Sequence, residues 1–179
     1  MANNKAKEIY MTGYVRWAKL FPSNMDKYEK HFDQTGGRFM VDFYPESEKE
    51  LSKFWDTDVG SESMGSPRLR DQSHRSYGDG DVDLGIGSWL RLKRDNISKT
   101  GIDAFGGSPY VFDFRDGPST KQWDSEADGV NIWNGSKVQV KLNIWGTGGT
   151  ANIRLDAVAV MELAAAPEMD DTEDKEPTF

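Results

Sequence analysis

A length of 179 residues is one domain's worth of chain, long enough to bury a core without covalent staples. A mean hydropathy of -0.71 leaves no run near the ~20 apolar residues of a helical membrane span, and the absence of cysteine excludes disulfide frameworks, Cys-ligated zinc and thiol nucleophiles. The formal charge of -8 is segregated: residues 167–179 carry six acids and one lysine, residues 56–83 seven acids and three arginines, and the rest is close to neutral, so a polyanionic ligand is not excluded.

The opening MANNKAKEIYMTG has no apolar leader segment, which favours a soluble intracellular protein. From Ile9 onward the pattern alternates with period two, the mark of half-buried strands. Ile9, Met11, Val15 and Trp17 share one face of the first run and Tyr10, Thr12, Tyr14 and Arg16 the other, with Lys19 beyond; Trp17 fits either the core or a surface platform. Residues 24–34 are expected to hold a helical turn. Phe39, Val41 and Phe43 then alternate with Arg38, Met40, Asp42 and Tyr44.

Ser47 followed by Glu50 has capping-box spacing, and Leu51, Phe54 and Trp55 follow as one apolar stripe, so a short helix is predicted over Ser47–Trp55. Residues 56–85 are dense in Gly, Ser and Asp and exceed the length of an ordinary connection, which reads as a long mobile loop. Three further alternating runs follow: Trp89–Lys93, Tyr110–Arg115 and Lys137–Trp145. A last one, Ala151–Leu163, is apolar on both faces. Six strands broken by Gly pairs and few helices predict an all-β sandwich or small barrel over residues 1–166. Residues 167–179 carry too few apolar groups to offset ordering and are expected to be a disordered acidic tail.

Two of these runs carry candidate chemistry. Trp89, Arg91 and Lys93 share a face, with Arg94 and Lys99 just beyond, and so do Lys137, Lys141 and Trp145. Rings and cations alternating with core aliphatics suit single-stranded nucleic acid, whose unpaired bases stack on flat side chains while cations follow the phosphates. Tyr14 and Arg16 repeat the mixture on the first run, and Arg68, Arg70 and Arg75 in the long loop could clamp. Five phosphate contacts would give a slope of log K against log salt of about -3.5. Ordinary solvent-facing lysines and arginines, with Trp closing a barrel end, are the plainer account of the same residues. Platforms of Trp and Tyr also stack on sugars, so a structural or carbohydrate-binding β-module is the alternative.

Catalysis and metals find little support. Asp79, Asp81 and Asp83 open like a calcium loop, but its sixth position lacks glycine and Leu90 stands at the twelfth, where a bidentate Glu belongs. With only His31 and His74, imidazole chemistry has little to draw on. The expectation is a non-enzymatic protein with no cofactor and no metal. A nuclease using the Asp-rich loop would show itself by divalent-dependent cleavage.

The block Gly135 to Trp145, a Gly-rich turn, then Ile153 to Leu163, closed by an acidic segment ending in Phe179, resembles the single-stranded DNA-binding proteins of short-tailed (podovirus-type) bacteriophages. Gly13-Tyr14-Val15 and Gly37 to Asp42 are similar to that family's opening strands. The resemblance implies a five- to six-stranded Greek-key OB-fold barrel that coats single-stranded DNA in phage replication, recombination and repair, in the cytoplasm of the bacterial host. It implies cations at Arg38, Lys137 and Lys141 and a stacking ring near Trp145. It further implies that the tail (Asp170, Asp171, Glu173, Asp174, Glu176 and Phe179) contacts the replicative DNA polymerase and the primase-helicase, and that the protein is a homodimer. A tail of thirteen residues spans about 20 Å, so it can reach a cationic groove on its own barrel at an effective concentration on the order of mM and compete with DNA there. The long Gly/Ser/Asp loop departs from the family, as does the lack of its extended helix-bearing insertion.

Overall fold

The computed structural model describes residues 7–26, 36–55, 84–96, 107–145 and 152–166, with the side chains of Trp55, Trp145 and Asn152 outside that description. The six expected runs form six strands: β1 (Lys7–Lys19), β2 (Arg38–Pro45), β3 (Leu90–Asp95), β4 (Tyr110–Asp113), β5 (Lys137–Trp145) and β6 (Asn152–Glu162). They make one sheet in the order β3-β2-β1-β5-β6-β4. Every pairing is antiparallel except β4 with β6.

The first three strands form a meander, and β5 returns by a long connection to pair with β1 from Lys7 to Tyr14. Twist brings the far strands together, and Arg94 of β3 reaches Asp156 of β6 at 2.9 Å and donates to the Gly107 carbonyl at 2.7 Å. This is the expected OB-type barrel, with β4 added alongside β6.

Alternation sets the inside. Met11, Val15, Val41, Phe43, Leu90, Leu92, Val138, Val140, Leu142, Leu155, Val158 and Val160 face one another in a single core. Gly13 lies in the same register, opposite Pro45 and Val138. A Cβ there would overlap the Tyr44 carbonyl and come 2.8 Å from Phe43 Cζ, so the close approach of β1 and β2 requires glycine.

The predicted helix forms as α1 (Glu48–Trp55), burying Leu51 and Phe54. Ser47 caps it, its Oγ accepting from Glu50 N at 3.2 Å. The other half of the expected capping box is absent, because the Glu50 carboxylate accepts from Thr12 N at 2.6 Å instead. It thereby satisfies a strand N–H and ties the helix to β1.

A second short helix, α2 (Ser125–Asp128), is capped by Asp124. Beside it Arg115 bonds Asp113 through two nitrogens, reaches Asp128, and lies 4.6 Å over the Trp123 ring. The guanidinium beside Asp113 holds that carboxyl well below the usual carboxylate range.

The helical turn expected over 24–34 does not extend through its described part. Asn24 N bonds the Phe21 carbonyl in a turn, and Asp26 bridges to Arg38. The rest of that segment, most of the loop over 56–85 and the tail over 167–179 lie outside the described residues, as do His31, His74 and the Arg68, Arg70, Arg75 cluster. No helix among the described residues is long and apolar enough to cross a membrane.

Candidate nucleic-acid interface

The sheet face turned away from the core is the candidate site, and its two halves differ. On β1, β2 and β3 the registered residues are Tyr14 with Tyr44, and Arg16 with Asp42 with Arg91. Here rings and cations are consumed by one another. Tyr44 and Trp89 stack at 6.1 Å, Arg91 lies 5.4 Å over Trp89, and Arg16 lies 5.1 Å over Tyr44. Arg91 grips Asp42 through two hydrogen bonds of 2.8 and 3.3 Å.

Two expected contact residues are therefore corrected. Trp89 is only 2% exposed and Arg16 3%, so neither offers an open face to a base or phosphate. Both have the outward parity that alternation predicts, but neighbouring side chains on the same outer face bury them. Arg94 is corrected as well, because its side chain belongs to the barrel closure with Asp156 and Gly107. Burial lowers its pKa, with Arg154 adding repulsion. Arg38 pairs with Asp95 at 3.2 Å, and Lys93 stands opposite Met40 in the register.

The other half, on β1, β5, β6 and β4, is open. Tyr10 pairs with Lys141, Lys141 with Ala157, and Ala157 with Tyr110. The next row runs Thr12, Gln139, Ala159, Phe112. Tyr110 is 65% exposed and Tyr10 44%. Tyr110, Phe112 and Phe114 form a ladder with centroids 6.0 and 6.3 Å apart. Between the ladder and Tyr10 lie Ala157 and Ala159 of β6 and Lys141 and Gln139 of β5, so the ladder and Tyr10 stand about 14 Å apart, three strand spacings. Lys141 Nζ stands 5.9 Å from the Tyr10 ring, within cation–π range.

Both lysines here carry carboxylate partners: Lys137 with Glu46 at 3.0 Å and Lys141 with Glu8 at 3.4 Å. The Glu46 hydrogen bond raises the Lys137 pKa. Burial works against the Lys141 charge, but Tyr10, Glu8 and Asp156 together outweigh it and raise its pKa too. Both ammonium groups thus stay charged at neutral pH.

Of the residues named from the sequence, Tyr14, Lys137 and Lys141 come together on this half of the face. Trp145 continues β5 opposite Asn152, its side chain outside the description. Tyr10 was noted on the first run but not placed among the contact residues. Tyr110 and Phe112 were missed, since three rings alternating with Val111, Asp113 and Arg115 look like the buried side. The available signal was Val111 itself, a β-branched core residue, and the need of Arg115 for a carboxylate two residues earlier. Among the described residues no group of His, Cys, Asp or Glu is arranged to hold a metal ion.

No protein-family model matches the chain, and no curated protein sequence matches it. Solved structures do. The single-stranded DNA-binding protein from bacteriophage Enc34 in complex with ssDNA aligns with a TM-score of 0.51 at 12% identity, over 89% of this chain and 88% of that one. The C-terminal truncation of the Enc34 protein aligns with a TM-score of 0.52 at 12% identity, over 89% and 86%. The fold is shared. At this identity the alignment speaks for the fold alone.

Proposed function

We propose that this chain binds single-stranded DNA with little sequence preference and without catalysis. The observation that carries the reading is the row Tyr10, Lys141, Ala157, Tyr110: two exposed rings with a charged amine and a small side chain between them. Bases stack on exposed rings for about 1–3 kcal/mol each, and every base offers a π-face. Stacking uses the face of a base and not its edge, so selectivity comes from strandedness. The fold shared with a phage protein named for single-stranded DNA binding supports the same reading.

Titration of labelled oligo-dT against a duplex of equal length tests it. Tighter binding of the single strand, weakened by salt and by Tyr110→Ala, is expected. Equal affinity for both, or salt-independent binding of an oligosaccharide in place of DNA, would overturn it and favour the carbohydrate-binding alternative.

The finer reading is that residues 1–166 act as the DNA-binding domain of a phage replication, recombination and repair protein of the short-tailed type, in the host cytoplasm. Residues 167–179 would recruit the replicative polymerase and primase-helicase, and the protein would work as a homodimer. What supports the tail's role is charge: a net of -5 over thirteen residues competes with phosphate for Lys137 and Lys141. Deleting 167–179 is expected to tighten oligo-dT binding. Unchanged affinity would refute the competition.

A further inference from the structure

Trp17 has no role in the face described so far. Its φ of 53° makes it the one non-glycine residue of positive φ among the described residues. For a bulky side chain that conformation is a true outlier, because Cβ crowds the following carbonyl. Ordinary extended backbone would have continued the alternation Met11, Gly13, Val15 and turned the indole into the core. Instead the pairing of β1 with β2 shifts register between Arg16 and Lys19. Leu20 takes the interior place at 1% exposure, and Trp17 stands 42% exposed.

The strained turn is fastened from several sides. Trp17 N donates to Asn134 Oδ1 at 2.8 Å, Gly135 N to the Val15 carbonyl at 2.8 Å, and Val15 N to the Ser136 carbonyl at 3.1 Å. These bonds hold β1 against the turn that leads into Lys137, whose register partner is Tyr14. Trp17 therefore lies at the end of β1's pairing with β5, three residues along the strand from the Tyr14–Lys137 row. Strained residues held by over-determined surroundings concentrate where a ligand is bound. A large ring left 42% exposed suits a flat ligand such as an unpaired base.

We propose that Trp17 is a further stacking site for single-stranded DNA, taking a base that leaves the row at Tyr14 and Lys137. The proposal rests on the single-stranded DNA reading above, and it extends the path of the strand to the bulged end of β1. The backbone strain is the cost of displaying the ring.

Three variants of the full chain, Trp17→Ala, Trp17→Gly and Trp17→Phe, test it with oligo-dT. Both small variants are expected to bind at least about 5-fold more weakly than wild type, the loss of one stacked base. The Gly variant is expected to melt about 2–4 °C above the Ala variant, since only the backbone preference separates them. Phe retains a ring and most of the affinity, yet lacks the indole, so the fluorescence quenching at saturating oligo-dT should shrink relative to wild type. That arm stands even if the small variants fold poorly. Wild-type affinity in the Ala and Gly variants, or full quenching in the Phe variant, overturns the proposal. Loss of binding confined to these variants distinguishes it from failure of the parent reading, in which wild type itself would not bind.

Discussion

Releasing Lys137 and Lys141 from their carboxylates should change how strongly salt governs DNA binding. Lys137 sits 3.0 Å from Glu46 and Lys141 3.4 Å from Glu8, and the two Glu side chains are 38% and 52% exposed. A phosphate that reaches such a lysine displaces a carboxylate, which then recovers a cation from solution, so no net counterion is released. Each lysine that neutralises a phosphate outright contributes about -0.7 to the slope of log K against log salt on a single strand. The double variant Glu8→Gln/Glu46→Gln should therefore steepen the slope by up to about 1.4. Exposed pairs are worth about 0–1 kcal/mol each, so at low salt the affinity should rise by up to roughly 30-fold. Anisotropy of labelled oligo-dT across several salt concentrations measures both. Glu126→Gln on the exposed α2 changes the net charge by one without touching the face, and serves as the control. An unchanged slope in the double variant, or an equal change in the control, would refute the carboxylate competition.

Other consequences can be checked separately. Gly13→Ala pushes a methyl into the Tyr44 carbonyl and Phe43. It should cost about 3 kcal/mol, read as a fall in melting temperature of several degrees; a shift below 2 °C would count against the close approach. Asp113 is held below the usual range first by its hydrogen bonds to Arg115, against the opposing effect of burial. A depressed carboxyl stabilises the fold above its unfolded pKa near 4 and loses that contribution as pH falls through its folded value. Asp113→Asn should destabilise at pH 7 by about 2–3 kcal/mol and flatten the acid limb of a stability–pH curve below pH 4, and an unaltered limb would exclude Asp113 as its source. Tyr110→Ala removes a ring 65% exposed, so oligo-dT affinity should fall about 5-fold or more with the melting temperature held within 2 °C. A large thermal shift would mean that the ring is structural.

Alternation made most of the fold legible. Five strands were visible because apolar residues recur at every second position, β6 because its run is apolar on both faces, and α1 because Ser47 and Glu50 bracket a turn before Leu51 and Phe54. What alternation cannot reveal is which side chains on the outer face cover one another. Trp89 and Arg16 have outward parity, yet Tyr44, Arg91 and Asp42 enclose them through cross-strand register, a long-range property. β4 misled for a related reason. Its rings outweigh Val111 in apolar area, and only the parallel pairing with β6 sets them over Ala157 and Ala159. Trp17 depended on a single dihedral angle, which no spacing rule encodes. The partner of Glu50 was hidden likewise, because Thr12 lies 38 positions away.

The central position of β1 has a consequence for synthesis on the ribosome. β1 precedes β2 in the chain, but its other edge waits for β5, which emerges roughly 120 residues later, about 6–24 s at ~5–20 residues per second. During that interval a row of unpaired amides and carbonyls faces other nascent chains. Charged Lys7, Glu8 and Lys19 at the two ends of the strand are then its guard against premature pairing.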